Sequence, residues 1–335
     1  MRHNVITDIS GIRVGHVHDA HIATGVSVAL FDGDVVASGV TRGGAPGSRD
    51  TGVLDLDMTA TGVNAVVLSG GSLFGLDAAG GVVSYLRARG VGLRIRSAVV
   101  PVAAQAIAFD LLNGGDKNWG RMPPYWEMGY AAAERATDGA FPLGTVGGGY
   151  GATTATLKGG LGSASAMTKS GYAVAALVVV NAIGSATIGD GPHFWAAPYE
   201  RDAEFGGLGQ PAHVDDAARA LRMKGGGPPS TTIALVVTDA ILTKPQAKRI
   251  AIMADDGLAR AIRPAHAPMD GDTVIAAATL EKPLRDPLMD ITELGLAAGD
   301  VLARAIARGV YEATALPFPG AQPAWKDRFA HLVRA

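Results

Sequence analysis

The stretch Tyr172–Val180, YAVAALVVV, is apolar from end to end apart from the hydroxyl of its first residue. Successive residues of a strand point to opposite faces, so a strand without a polar face must be covered on both sides. A second β-rich run, Thr232–Thr238, follows downstream. Amphipathic helical patterns flank both runs. The expectation is an α/β protein of stacked layers, with helices covering sheets.

Composition supports a large core. Of 335 residues, 48% are hydrophobic and 18% charged. The net charge of −2 gives no electrostatic footing for nucleic acid or for an anionic membrane surface. The longest apolar run, Ala173–Val180, is far too short to span a bilayer, and the first residues show no apolar leader. There are no cysteines, which excludes disulfides, thiolate metal sites and a cysteine nucleophile, and suits a cytoplasmic protein. The histidines share no metal-like spacing, so no metal and no cofactor are expected. Glycine is abundant, at 46 residues. With so few charges, this reads as close backbone packing and tight loops.

Along the chain, residues 26–40 read as a hairpin turning at Asp32-Gly33-Asp34. Asn64–Leu68 reads as a strand. The glycine-rich turn Ser69-Gly70-Gly71-Ser72 leads into a helix to about Arg89, with Leu73, Leu76, Ala79, Val83 and Leu86 on its apolar face. The glycine spacing and the lack of a placed acidic partner rule out a dinucleotide fingerprint. Residues 100–112 read as a second helix ending at Asn113-Gly114-Gly115, and Pro123-Pro124 opens another. Residues 190–224 form a polar excursion. Thr243 caps a helix with Pro245 in its first turn and Ile250, Ala254, Leu258 and Ile262 inward. Val274–Thr279 reads as a strand, and Thr292–Arg308 as a final helix stopped at Gly309.

The most abrupt junction is Gly225–Thr238. Glycines and a stiff Pro228-Pro229 step deliver the chain into a strand beginning at Thr231 and Thr232. A threonine hydroxyl is a poor nucleophile unless a base lies beside it, and a threonine at a chain's own N-terminus uses its α-amine. Thr231 could gain that amine only by cleavage of Ser230–Thr231, which would leave fragments of 230 and 105 residues (335 − 230 = 105). Asp270-Gly271-Asp272 offers two carboxylates that point the same way on an extended segment, one able to perturb the other. Asn181 ends the first buried strand, where a side-chain amide can serve as a donor. Lys158, between small residues and a glycine turn, reads locally as a solvated surface lysine that could reach a cleft. Amides at the Gly70-Gly71-Ser72 turn could receive a carbonyl oxygen.

Taken together, TDISGIRVGH, LSGGSLFGLDAAGG, AVVPVAAQAIAFDLLNGG, VVVNAIG, STTIALVVTDA and HAPMDGDT, in this order, resemble the P1/S58 family of N-terminal-nucleophile hydrolases. That family includes L-aminopeptidase/D-amidases, β-aminopeptidases and 6-aminohexanoate-oligomer hydrolases. The resemblance implies an αββα sandwich, shared with ornithine acetyltransferases, as one domain over 1–335 that self-cleaves into 1–230 and 231–335. It implies an oligomer of processed heterodimers, tetramer-like, acting on small peptides or amides. Thr231 would be the nucleophile, Ser230 the residue on the leaving side, and Asp270 and Asp272 the pair that orients the nucleophile. Asn181 would stabilise the oxyanion, Lys158 would belong to the site, and Phe109 stands where relatives carry a tyrosine. Ser230 replaces their glycine or asparagine. Phe109, Gly70, Gly71 and Ser72 are the expected substrate contacts. Two other readings share these residues: an acyltransferase like the ornithine acetyltransferases, and a non-catalytic small-molecule-binding homologue.

Overall fold

The computed structural model describes residues 2–225 and 229–333. Gly226, Gly227 and Pro228, in the junction singled out above, lie outside the described residues. The strands are β1 (Ile12–Asp19), β2 (Thr24–Phe31), β3 (Val36–Thr41), β4 (Ser48–Arg49), β5 (Ala65–Ser69) and β6 (Leu93–Ile95). They continue with β7 (Ala98–Val100), β8 (Ala103–Ile107), β9 (Gly160–Met167), β10 (Ala173–Asn181), β11 (Thr231–Ala240) and β12 (Thr273–Lys282). The helices are α1 (Ala78–Ala88), α2 (Tyr125–Glu134), α3 (Asp216–Arg219), α4 (Lys244–Ala261), α5 (Pro287–Tyr311) and α6 (Trp325–Phe329).

Two five-stranded sheets stack face to face, ordered β1-β2-β5-β8-β4 and β3-β12-β11-β10-β9. Each contains one parallel pair, β5–β8 and β11–β12, within otherwise antiparallel neighbours. α4 lies between β11 and β12 in the chain, the crossover that a parallel pair requires.

Side-chain parity explains the sandwich. In β10, Ala175, Leu177 and Val179 meet the other sheet, while Val174, Ala176, Val178 and Val180 meet α4 and α5. In β11, Ile233, Leu235 and Val237 face inward and Ala234 and Val236 face the helices. On the first sheet, Val28, Ala65 and Val67 pack with α1 and α2. The result is the αββα sandwich that the family resemblance implies, with the stacked layers that the apolar runs predict. Thr231 therefore shares the inter-sheet parity of Ile233.

Several local expectations hold. Thr243 caps α4 through a reciprocal box with Gln246, and the Ile250–Ile262 stripe is buried. Others are corrected. Residues 26–40 do not form a hairpin: β2 belongs to one sheet and β3 to the other. The Asp32-Gly33-Asp34 turn carries the chain between layers, and a local turn signal cannot specify which sheet its second arm joins. Residues 100–112 are not a helix. The segment holds β8, whose alanines fit both packed faces, and its buried Gln105 accepts from Ala79 N–H (3.0 Å) and donates to Ser69 Oγ (2.8 Å) and Gly75 O (2.6 Å). Leu73 is exposed, and the buried face of α1 uses Val82 and Tyr85 rather than Val83. α5 is neither final nor stopped at Gly309. It starts at an Asp286 cap, and α6 follows it. Gly309 lies inside α5 because a Cβ there would sit 2.9 Å from Gly162 N of β9, so the helix needs glycine to approach the strand.

Candidate active site

The site is assembled where β10 ends and β11 begins. Asn181 and Thr231 are register partners across these antiparallel strands. Side chains directly opposite one another share a face, with Cβ atoms about 5 Å apart. Thr231 is only 3% exposed and Ser230 is fully buried.

The loop preceding β12 runs beside the junction. Met269 O accepts from Ser230 N–H at 3.2 Å, and Gly271 N–H donates to Ser230 O at 2.8 Å. Thr231 Oγ1 donates to that same Ser230 carbonyl at 2.5 Å. The carbonyl ahead of Thr231 thus accepts from both the Gly271 main-chain N–H and the Thr231 hydroxyl. A Cβ on Gly271 would sit 2.9 Å from Thr231 Oγ1 and 2.9 Å from Ala45 O, which explains a glycine between the two aspartates. Gly271→Ala is therefore expected to slow any reaction of the Thr231 hydroxyl by more than about tenfold while the chain still folds, because small displacements of reacting groups cost rate steeply. A denaturing-gel time course beside a thermal melt checks this.

The two aspartates are buried yet differently placed. Asp272 Oδ1 accepts from Thr232 N–H at 2.7 Å. Its Oδ2 accepts from His266 N–H at 3.0 Å and lies 2.9 Å from His266 Nδ1. Asp272 therefore anchors the start of β11 to the loop. The bond to Asp272 favours the charged form of His266 and raises its pKa above the usual value, and its Nε2 lies 3.4 Å from Asp255. Asp270 has no hydrogen-bond partner for either carboxylate oxygen among the described residues. Burial, and then the charge of Asp272, push its pKa well above the ordinary carboxylate range. The two carboxylates thus differ in surroundings: Asp272 accepts two main-chain N–H groups, and Asp270 accepts from none of the described residues.

Asn181 is fully enclosed. Its Oδ1 accepts from Thr153 N–H at 3.0 Å and from Lys224 Nζ at 3.1 Å, while Nδ2 donates to Phe109 O at 2.9 Å. Phe109 thus contributes its main-chain carbonyl. A cavity of about 570 Å³ opens alongside, lined by Phe109, Asp110, Leu112, Asn113, Thr153, Lys158, Lys224, Pro229 and Leu316, among others. Pro229, just ahead of the junction, lines it; Thr231 does not.

Lys158 is not a solvated surface lysine. It is 1% exposed, and its Nζ donates to the carbonyls of Gly149, Ala152 and Gly159. Burial brings its pKa down to about 7. Gly70, Gly71 and Ser72 stand one step back. Their amides are committed to Gly25 O, Asp110 Oδ1 and Ala108 O, and none of the three lines the cavity.

Sequence reasoning passed over Lys224, which bonds Asn181, and Asp110, which is buried between Gly71 N–H and Thr24 Oγ1. It also missed the backing of the aspartate loop by Arg42–Ala45, whose amides donate to Asp272 O, Ala267 O and Asp270 O. Asp110 carried one usable signal, as an acid inside an otherwise apolar segment. Lys224 carried none.

Comparison with known proteins agrees with this architecture. The model of peptidase family S58 matches residues 4–322, and the chain belongs to that family. An aminopeptidase of Mycobacterium tuberculosis, itself uncharacterised, is 41% identical over 97% of this chain and 98% of its own length. The 6-aminohexanoate-oligomer endohydrolase of Paenarthrobacter ureafaciens is 27% identical over 82% of this chain and 74% of its own. Among solved structures, a Burkholderia sp. β-aminopeptidase superposes with a TM-score of 0.70 at 22% identity, covering 100% of this chain and 95% of that one. The L-aminopeptidase D-Ala-esterase/amidase of Ochrobactrum anthropi gives 0.68 at 19%, covering 95% and 88%. The latter is described as a variant of the Ntn hydrolase fold, the fold class found here.

Proposed function

We propose that this S58 hydrolase cleaves itself between Ser230 and Thr231 and then hydrolyses small peptides or linear amides through an acyl-enzyme on Thr231. The observation that carries the reading is the Thr231 hydroxyl seated on the Ser230 carbonyl, whose oxygen also receives the Gly271 N–H.

In the first reaction, Thr231 Oγ1 attacks the Ser230 carbonyl carbon and Gly271 N–H stabilises the oxyanion. Asp270, with its raised pKa and no hydrogen-bond partner on either carboxylate oxygen among the described residues, takes the hydroxyl proton and returns it to the departing amine. The C–N bond breaks, leaving an ester on Oγ1 and a free α-amine on Thr231. Water then hydrolyses the ester, releasing a carboxylate at Ser230. Departure of the Pro229–Ser230 end opens Thr231 toward the cavity. In later turnovers the α-amine, with an ordinary pKa near 8, takes the Oγ1 proton. Asn181 Nδ2 stabilises the oxyanion, the leaving amine receives the proton, and water releases the acid.

Relatives named as an aminopeptidase and as an amide-oligomer endohydrolase, together with the aspartate pair, support amides as the substrate class. A panel of α-, β- and D-amino acid p-nitroanilides beside an aminohexanoate oligomer tests the reading. Release of amine and acid with wild-type protein is expected. Acyl transfer to glutamate in preference to water would replace hydrolysis with transferase chemistry, and binding without turnover would remove catalysis altogether.

A further inference from the structure

Lys224 is a cation beside Asn181 that the steps above leave unused. Its main-chain N–H donates to Ile183 O at 2.9 Å, and its Nζ reaches Asn181 Oδ1 at 3.1 Å and Asn181 O at 3.3 Å. The carboxamide of Asn181 has Thr153 N–H and Lys224 on its oxygen and the Phe109 carbonyl on its nitrogen. Only one amide orientation satisfies all three, since an oxygen cannot donate and an NH₂ cannot accept. Thr153 and Phe109 already suffice to set that orientation. What Lys224 adds is charge.

A charge-assisted hydrogen bond is roughly twice as strong as a neutral one, and bonds in a chain polarise each other. An ammonium on Oδ1 draws electron density from the carboxamide and makes Nδ2–H a better donor. Phe109 O takes one Nδ2 hydrogen, and the amide carries a second. Asn181 is the register partner of Thr231 and shares its strand face, which leaves that second hydrogen for the oxyanion in the mechanism proposed above.

We propose that Lys224 is a positioning residue that acts through Asn181, its ammonium polarising the carboxamide so that the Nδ2 donor strengthens as the oxyanion forms. This rests on the roles given above to Thr231 and Asn181. The ammonium faces Asp270 and Asp110, which favour its charge, and Lys158, which opposes it. Burial outweighs the two carboxylates and brings the Lys224 pKa down to about 7. The charge is therefore present below neutrality and lost as pH rises above it.

The test compares wild type, Lys224→Met, Lys224→Arg, Asn181→Ala and the Asn181→Ala/Lys224→Met double variant from pH 6 to 9. It follows self-cleavage on gels and kcat and KM on the p-nitroanilide that wild type turns over fastest, with thermal melts to confirm folding. At pH 6 we expect Lys224→Met to lower kcat about tenfold with KM within about twofold, because only the transition state feels the stronger donor. The wild-type/Met ratio should fall toward one at pH 9, while the Asn181→Ala/double-variant ratio, which carries any direct effect of Lys224 on Asp270 and Lys158, should stay near one from pH 6 to 9. Lys224→Arg should retain most of the rate and keep it at pH 9, since guanidinium stays charged. The double variant should be no slower than Asn181→Ala. A pH-independent wild-type/Met ratio, or full additivity in the double variant, overturns the proposal while leaving Thr231 as nucleophile. A wild type that neither cleaves itself nor hydrolyses any member of the panel overturns both.

Discussion

Thr231→Ala is expected to remain a single chain of 335 residues and to lose hydrolysis by on the order of 10⁴-fold or more, the scale seen when a covalent nucleophile is removed. Two losses coincide in this variant. Without Oγ1 nothing attacks the Ser230 carbonyl, so the α-amine of residue 231 is never freed; and even a precut chain would have no group to carry the acyl intermediate. Thr231→Ser separates these causes. It keeps a hydroxyl at the head of β11, with Thr232 N–H still clamped by Asp272, and is expected to cut and to turn over. The fold should be indifferent to both changes, because the inward face of β11 is filled by Ile233, Leu235 and Val237 deeper in the sandwich. Gel analysis and amide turnover on the same preparations provide the check.

Asp270→Asn is the second large effect. The carboxylate is buried without a hydrogen-bond partner for either oxygen among the described residues, and it stands beside Asp272. Its folded-state pKa is raised, so the folded chain holds the proton longer than the unfolded chain does. Ionisation as pH rises from the ordinary carboxylate range toward the folded-state value therefore costs stability. Asparagine does not ionise, and the variant should melt as high as wild type at acidic pH and several degrees higher near neutrality. Self-cleavage should slow by about 100-fold or more, the usual weight of a positioned acid–base group. Loss of the carboxylate also removes one of the charges that keep Lys224 protonated. Asp272→Asn should behave in the opposite sense, losing stability because a neutral amide holds Thr232 and His266 less firmly than a carboxylate does. Melting curves at pH 5 and pH 7.5, with cleavage half-times at both, distinguish the two carboxylates.

How much of this could be read from residues alone depended on how many physical demands met at one position. Tyr172–Val180 was legible as a strand because burial on both faces leaves no freedom for a polar side chain. The start of β11 at Thr231 was legible because a glycine–proline run gives way abruptly to a β-rich run. β8 was hidden: Ala103, Ala104 and Ala106 are small so that helix and sheet can close on them, and alanine spacing looks helical. The turn at Asp32-Gly33-Asp34 was read for its local geometry, whereas the partner of β3 is β12, which lies at the far end of the sequence. The different surroundings of Asp270 and Asp272 were illegible in principle. Two identical side chains differ here only in what surrounds them, and those surroundings come from Arg42–Ala45, Thr232 and His266. Lys224 was missed for the same reason, since nothing nearby in sequence marks a lysine that bonds the end of β10.

Intact mass measurement of the purified, denatured wild-type protein tests self-cleavage most directly. Two polypeptides are expected, residues 1–230 and residues 231–335, with the smaller one beginning at Thr231. A single 34.1 kDa chain in a preparation that hydrolyses amides, or a cut at any other bond, would contradict the assignment of Thr231 as an N-terminal nucleophile.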